Sequence, residues 1–205
     1  MKNIIFFFGM RLSLQVNADS SCPAFNPTSQ FSLHEKFLTL VTTLEVQDQN
    51  SEPLGKVTEK YFSIRAVFIL RNTQDQIVAQ AEKELFSWGS HIDIYDCHHQ
   101  KIGAVKEDIL QNLFSFSTTY QILNADNQEI AESVKPFHIG DTHIEIGHNG
   151  RQIVTLNRPW MSFTDNWKVS VNDPNIVDPR ILVMIGAYKT FSDNKRNRDS
   201  SDNEK

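Results

Sequence analysis

The run from Ile181 to Ala187 constrains this chain more than any other stretch, because every residue in it is apolar or glycine. Seven successive residues at 3.6 per turn point in every direction around a helix axis, so such a helix has no side left for water. It must be enclosed by apolar groups or lie in a bilayer, and a span needs about 20 apolar residues. The run is too short to span. Ile181, Val183 and Ile185 are β-branched and would also suit a strand, so the flanks decide. Asp178 is a good N-cap, Pro179 falls where its missing N–H costs nothing, and Lys189 complements the C-terminal end of the dipole. The pattern predicts a helix over about residues 179–191, with Ile181, Leu182, Val183, Met184 and Ile185 as its buried core.

What encloses the helix is written in a repeat. An alternating apolar run, a polar turn and a second alternating run recur from Leu44, Phe68, Ile92, Tyr120 and Ile144. Aligned on Leu54, Ile77, Ile102, Ile130 and Ile153, the copies are 23, 25, 28 and 23 residues apart. Phe-Ser pairs at Phe31, Phe62, Phe86 and Phe114 punctuate the joins. Period-two alternation marks strands, and Asp, Asn, Gln and Gly supply turn chemistry, so each copy reads as a β-hairpin. A propeller blade needs four strands in about 40 residues, which these copies of two strands do not offer.

The hairpins must therefore wrap the helix. Adding the segments near Phe37 and Trp167 gives eleven or twelve strands. Strands about 4.8 Å apart and tilted about 40° close into a barrel of roughly 12 Å radius for twelve strands and roughly 8 Å for eight. Only the larger has room for a helix about 10 Å across. The expected fold is mostly β (α+β): a closed antiparallel barrel of about twelve strands around a buried hydrophobic C-terminal helix, the 14 Phe residues filling the annulus.

A chain of 205 residues fits one such domain with tails. Its net charge of −5 argues against nucleic acid as partner. The opening MKNIIFFFGMRLSLQVNA imitates a signal peptide, with Lys2, an apolar run and small residues near Ala18, but Arg11 interrupts it. Two readings stay open: an apolar arm on a cytoplasmic or peripheral membrane protein, or export with residues 1–18 as leader. Cys22 and Cys97 could pair after export and would be free thiols in a reducing compartment. The expected organisation is an arm or leader within residues 1–30, a barrel domain over 31–193, and a disordered polar tail over 194–205.

The stretch IYDCHHQKIGAVKEDILQNLFSFSTTYQIL, the Phe-Ser joins and the ending DPRILVMIGAYKT resemble the LURP-one-related family of the tubby C-terminal-like group, over about residues 31–193. The resemblance implies a twelve-stranded barrel around a hydrophobic C-terminal helix. It also implies lipid binding, since tubby domains hold phosphoinositide headgroups through basic residues. No residue here matches that site position by position. The acidic calcium segment and the cysteine-rich cluster of the related scramblases are not found either, which weakens a scramblase-like lipid-transport reading.

Basic residues close each hairpin: Lys60, Lys83, Lys106, Lys135 and Arg158. In a barrel of near-rotational symmetry they would gather at one rim and hold an anionic headgroup; the plainer reading is a set of solvated outer-face charges. His98, His99, His138, His143, Glu145 and His148 match no metal-ligand template, so no metal or cofactor is expected. No GxSxG, SxxK or catalytic-cysteine signature is present, and no enzyme activity is expected. The leading reading is a non-enzymatic, monomeric barrel that binds an anionic phospholipid surface or a protein partner. The alternative is a structural or protein-interaction module with no small ligand, and a hydrolase using the histidines comes third.

Overall fold

The structure, a computed structural model, describes residues 21–36, 42–60, 62–84, 91–107, 119–134, 143–159 and 166–202. The alternating runs become strands β1 (Gln30–Lys36), β2 (Thr43–Asp48), β3 (Pro53–Glu59), β4 (Val67–Asn72), β5 (Ile77–Lys83) and β6 (His91–Asp96). They continue as β7 (Lys101–Glu107), β8 (Tyr120–Asn124), β9 (Glu129–Ser133), β10 (His143–His148), β11 (Arg151–Asn157) and β12 (Asn166–Val171). Each strand pairs with its neighbours in the chain, and β12 pairs antiparallel with β1, so the sheet closes and has no edge. The expected twelve-stranded barrel is the observed one.

The repeat has a physical basis at the turns. Asp48 Oδ1 accepts hydrogen bonds from the amides of Asn50 and Glu52. Asn72, Asp96 and Asn124 do the same for the amides two and four residues on. One residue before the end of each turn, Ser51, Asp75, His99 and Asn127 have φ of 60° to 66°. The Asx side chain thus satisfies the amides that a left-handed turn residue leaves exposed. The last hairpin instead turns on Asn149 and Gly150, with φ of 50° and 74°, the pair that a two-residue hairpin loop favours. A register shift follows Val46, Leu70, Ile94, Ile122 and Ile146, near the end of the first strand of every hairpin. Such bulges sharpen strand twist and help the sheet curl into closure.

Helix α1 (Pro179–Asp202) fills the lumen. Asp178 caps it: its Oδ1 accepts from the Arg180 amide at 2.9 Å, and its carboxylate also receives the Arg180 guanidinium. Ile181, Leu182, Val183 and Met184 are each at most 1% exposed, while Ile185 is half-buried beside a small apolar gap under Ile92, Ile94, Val105 and Ile144. Two glycines set the fit. A Cβ on Gly103 would lie 2.6 Å from Ile181 Cδ1, and one on Gly186 would collide with Leu33 Cδ1. The indole of Trp167 on β12 donates to Thr190 Oγ1 at 2.9 Å, and Phe191 stacks on Phe68 with ring centres 5.0 Å apart.

Two expectations differ from this picture. The helix does not stop near residue 191, and residues 194–202 of the expected disordered tail are helical. No glycine or proline follows Gly186 to end it, and the Lys189–Asp193 pair and the Asn194–Glu35 hydrogen bond at 2.7 Å extend its anchorage. The annulus is also filled mainly by Ile, Val and Leu. Phe25, Phe31, Phe68 and Phe191 join it, Phe62 is exposed, and the other phenylalanines lie outside the described residues.

Candidate functional site

The topology gives the barrel two unlike ends. The hairpin turns after β2, β4, β6, β8 and β10 lie at one, the turn end, where β12 also finishes and α1 begins. The connections between hairpins lie at the other, the loop end, toward which α1 runs. Lys60 follows β3, Lys83 ends β5, Lys106 lies in β7 and Arg158 follows β11, so all four stand at the loop end, the shared rim that the repeat predicts. Lys135 lies outside the described residues.

Strand parity then separates them. Lys83 has the parity of inward-facing Ala81, and its ammonium reaches over the Tyr188 ring of α1, 5.8 Å from the centroid. Arg158 has the parity of Leu156. Its guanidinium lies 4.9 Å from the Trp167 ring centre and 3.2 Å from Asp193, which also binds Lys189 at 2.8 Å. With side chains only 10–12% exposed, these three charges form a buried clasp on the helix rather than a surface for ligand. Lys60 and Lys106 are exposed, each adjoining an inward residue, and so stand on the outer wall.

Three lysines remain on successive hairpins. The amides of Lys60 and Lys83 both hydrogen-bond to the start of β4, at Val67 and Ala66, and Lys83 and Lys106 pair with Ile92 and His91 of β6. Neighbouring lysines are therefore two strand spacings apart, about 10 Å. Beside Lys83, between the first two hairpins and the end of α1, a cleft of about 300 Å³ opens, lined by Glu59, Arg65, Phe68, Lys83, Tyr188 and Phe191. Its charge is balanced: Glu59 and Glu84 face Arg65 and Lys83, and Arg65 already binds the buried Glu82 at 2.6 Å.

Sequence reasoning missed what stands above the cleft. Phe62 is 105% and Ile64 92% exposed, in the connection that carries Lys60 and Arg65. Phe62 was legible only as one of the Phe-Ser joins; two apolar residues inside a connection rich in Lys and Arg were the signal to follow.

Among the described residues the histidines do not assemble into one site. His143 contacts Asn157 and lies 2.8 Å from Glu145, His148 donates to the Ile130 carbonyl at 2.6 Å, and His99 stacks on Tyr95; His138 lies outside the described residues. Ser32 Oγ lies 2.9 Å from His34 Nε2 on β1, away from the cleft. Glu84, His91 and Asp93 sit close enough for a cation, but the Lys101 ammonium already occupies Asp93. At the turn end, Cys22 and Cys97 are joined in a disulfide, the pairing that the sequence left open.

No curated protein matches the chain. Among solved structures, the X-ray structure of a protein from Arabidopsis thaliana is similar in fold, with a TM-score of 0.55 at 12% identity, covering 82% of this chain and 94% of that chain. The family model described as LURP-one-related matches residues 29–187, from the residue before β1 to the middle of α1. With that match covering all twelve strands and the buried start of α1, the chain belongs to the LURP-one-related family.

Proposed function

We propose that this barrel is a non-catalytic binding domain that docks its loop end onto an anionic membrane surface. The observation that carries the reading is the rim itself: Phe62 and Ile64 are exposed in the connection that follows Lys60, and Lys106, two hairpins on, is exposed at the same end. Apolar tips gain roughly 1.5–3 kcal/mol each on full burial, and each lysine near an anionic surface adds about 1 kcal/mol. Arg158, held by Asp193, takes no part. The charge-balanced cleft supports a second reading, a protein segment carrying both charges, in place of a deep headgroup pocket.

Vesicle flotation tests the first reading. Wild-type protein is expected to float with phosphatidylcholine vesicles containing an anionic phospholipid such as phosphatidylglycerol, and to be released by salt, since exposed contacts are screened over about 8 Å at physiological ionic strength. Lys60→Gln and Lys106→Gln together should weaken binding about 30-fold, with each single change near fivefold, whereas Lys83→Gln, whose ammonium is turned inward over Tyr188, should change it less. Failure of wild-type protein to bind anionic vesicles at low salt would refute it.

A further inference from the structure

Residues 22–28 belong to no strand, and Ser29 meets the sheet only through its carbonyl, which accepts from the Val171 amide of β12 at 2.7 Å, yet the segment is not loose. Cys22 is bonded to Cys97 in the β6–β7 turn, while Gln30 opens β1. In the closed order β1 and β6 are five strands apart one way and seven the other, nearly opposite across the barrel. Eight residue steps reach about 26–29 Å, enough to cross a mouth of roughly 24 Å. Phe25, near the middle, is 8% exposed and belongs to the core, so the segment crosses over the lumen with one ring turned down into it. α1 starts at the same end, where the hydrogen bond and charge of Asp178 favour protonated Arg180 and Asp96, next to Cys97, adds a smaller part.

We propose that the Cys22–Cys97 disulfide is a permanent latch of the mature protein, holding residues 22–29 as a strap across the turn end, and that the protein matures in an oxidising compartment. A thiolate of one cysteine attacks the disulfide of a thiol–disulfide oxidoreductase and displaces one of its thiols. The second thiolate then resolves the mixed disulfide, so the donor leaves with two thiols and this chain loses two hydrogens. Structural disulfides persist in such compartments and are rare where thiols are kept reduced.

The test uses the full chain expressed in eukaryotic cells and lysed into an alkylating agent. The expected result is one cross-linked peptide pair containing Cys22 and Cys97, with neither cysteine alkylated. Dithiothreitol added to the purified protein should lower Tm by about 5–10 °C, because the bond closes a loop of 75 residues. Chymotrypsin cleavage after Phe25 should then become at least tenfold faster, a readout that needs no folded variant. Two alkylated cysteines in protein taken from cells would overturn the proposal. So would unchanged Tm and Phe25 protection after reduction, or zinc held by free Cys22 and Cys97 with His98, whose ligand atoms lie within 4.8 Å.

Discussion

The turn end and the loop end of this barrel are made by the same strands but obey different rules. The five hairpin turns at the turn end are two or four residues long, and an Asx side chain or an Asn-Gly pair satisfies each within itself. The connections at the loop end run from six to twelve residues. The turn end is closed by a strap and a disulfide, whereas the loop end carries a cleft, exposed apolar tips and the outgoing helix. Short self-satisfied turns leave little surface free to vary. Long connections on a rigid scaffold are where recognition is built.

Both ends depend on one plug, so the largest effect is expected there. Val183→Asp should abolish the cooperative thermal transition, because an unpaired carboxylate at a site of 0% exposure costs several kcal/mol against a total stability of about 5–15. A melt near wild type would remove the basis of the comparison. At the loop end, Asp193→Asn removes the carboxylate that Lys189 and Arg158 share and should cost about 2–4 kcal/mol by denaturant unfolding. A cost below 0.5 kcal/mol, roughly the noise of surface substitutions, would show that the helix end is not clasped.

Turn-end changes should be smaller. Asn124→Ala removes the acceptor for the amides of Asp126 and Gln128 and should cost about 1 kcal/mol by the same measurement. Smallest of all is the Lys56–Asp75 link between neighbouring hairpins, 2.9 Å long and exposed. The Lys56 hydrogen bond and charge, with a lesser part from Arg71, hold the Asp75 carboxyl below the usual range against slight desolvation. A pKa depressed on folding stabilises only above the unfolded value, about 3.9, and that contribution fades as pH falls through the folded one. In Lys56→Gln the Asp75 pKa, followed by NMR, should rise while the neutral-pH Tm stays within error. A marked drop in Tm would mean that the turn end relies on its surface charges.

The barrel was legible because its cause is local. Alternation from Leu44 to Val171 assigns an inner face, and Asp48, Asn72, Asp96 and Asn124 announce the turns one repeat apart. Asp178 and Pro179 likewise mark where α1 begins. Its end was not legible, since Asp193 and Asn194 are held by Arg158 and Glu35 from elsewhere in the sequence. Neither was the disulfide, whose partners are 75 residues apart. The rim was half legible. The repeat places Lys60, Lys83, Lys106 and Arg158 at one end, but only parity against Ala81, Val105 and Leu156 shows that two of them turn inward to the helix.

The difference between the ends is tested most directly by asking which of them responds to anionic vesicles, as the proposed docking requires. A polarity-sensitive fluorophore is attached at Ile64→Cys, above the loop-end cleft, or at Gln74→Cys, in the β4–β5 turn, with the Cys22–Cys97 bond left oxidised. On adding anionic vesicles at low salt, the Ile64→Cys label should shift to the blue and gain intensity while the Gln74→Cys label stays unchanged. A shift at Gln74→Cys alone, or equal shifts at both, would contradict the account.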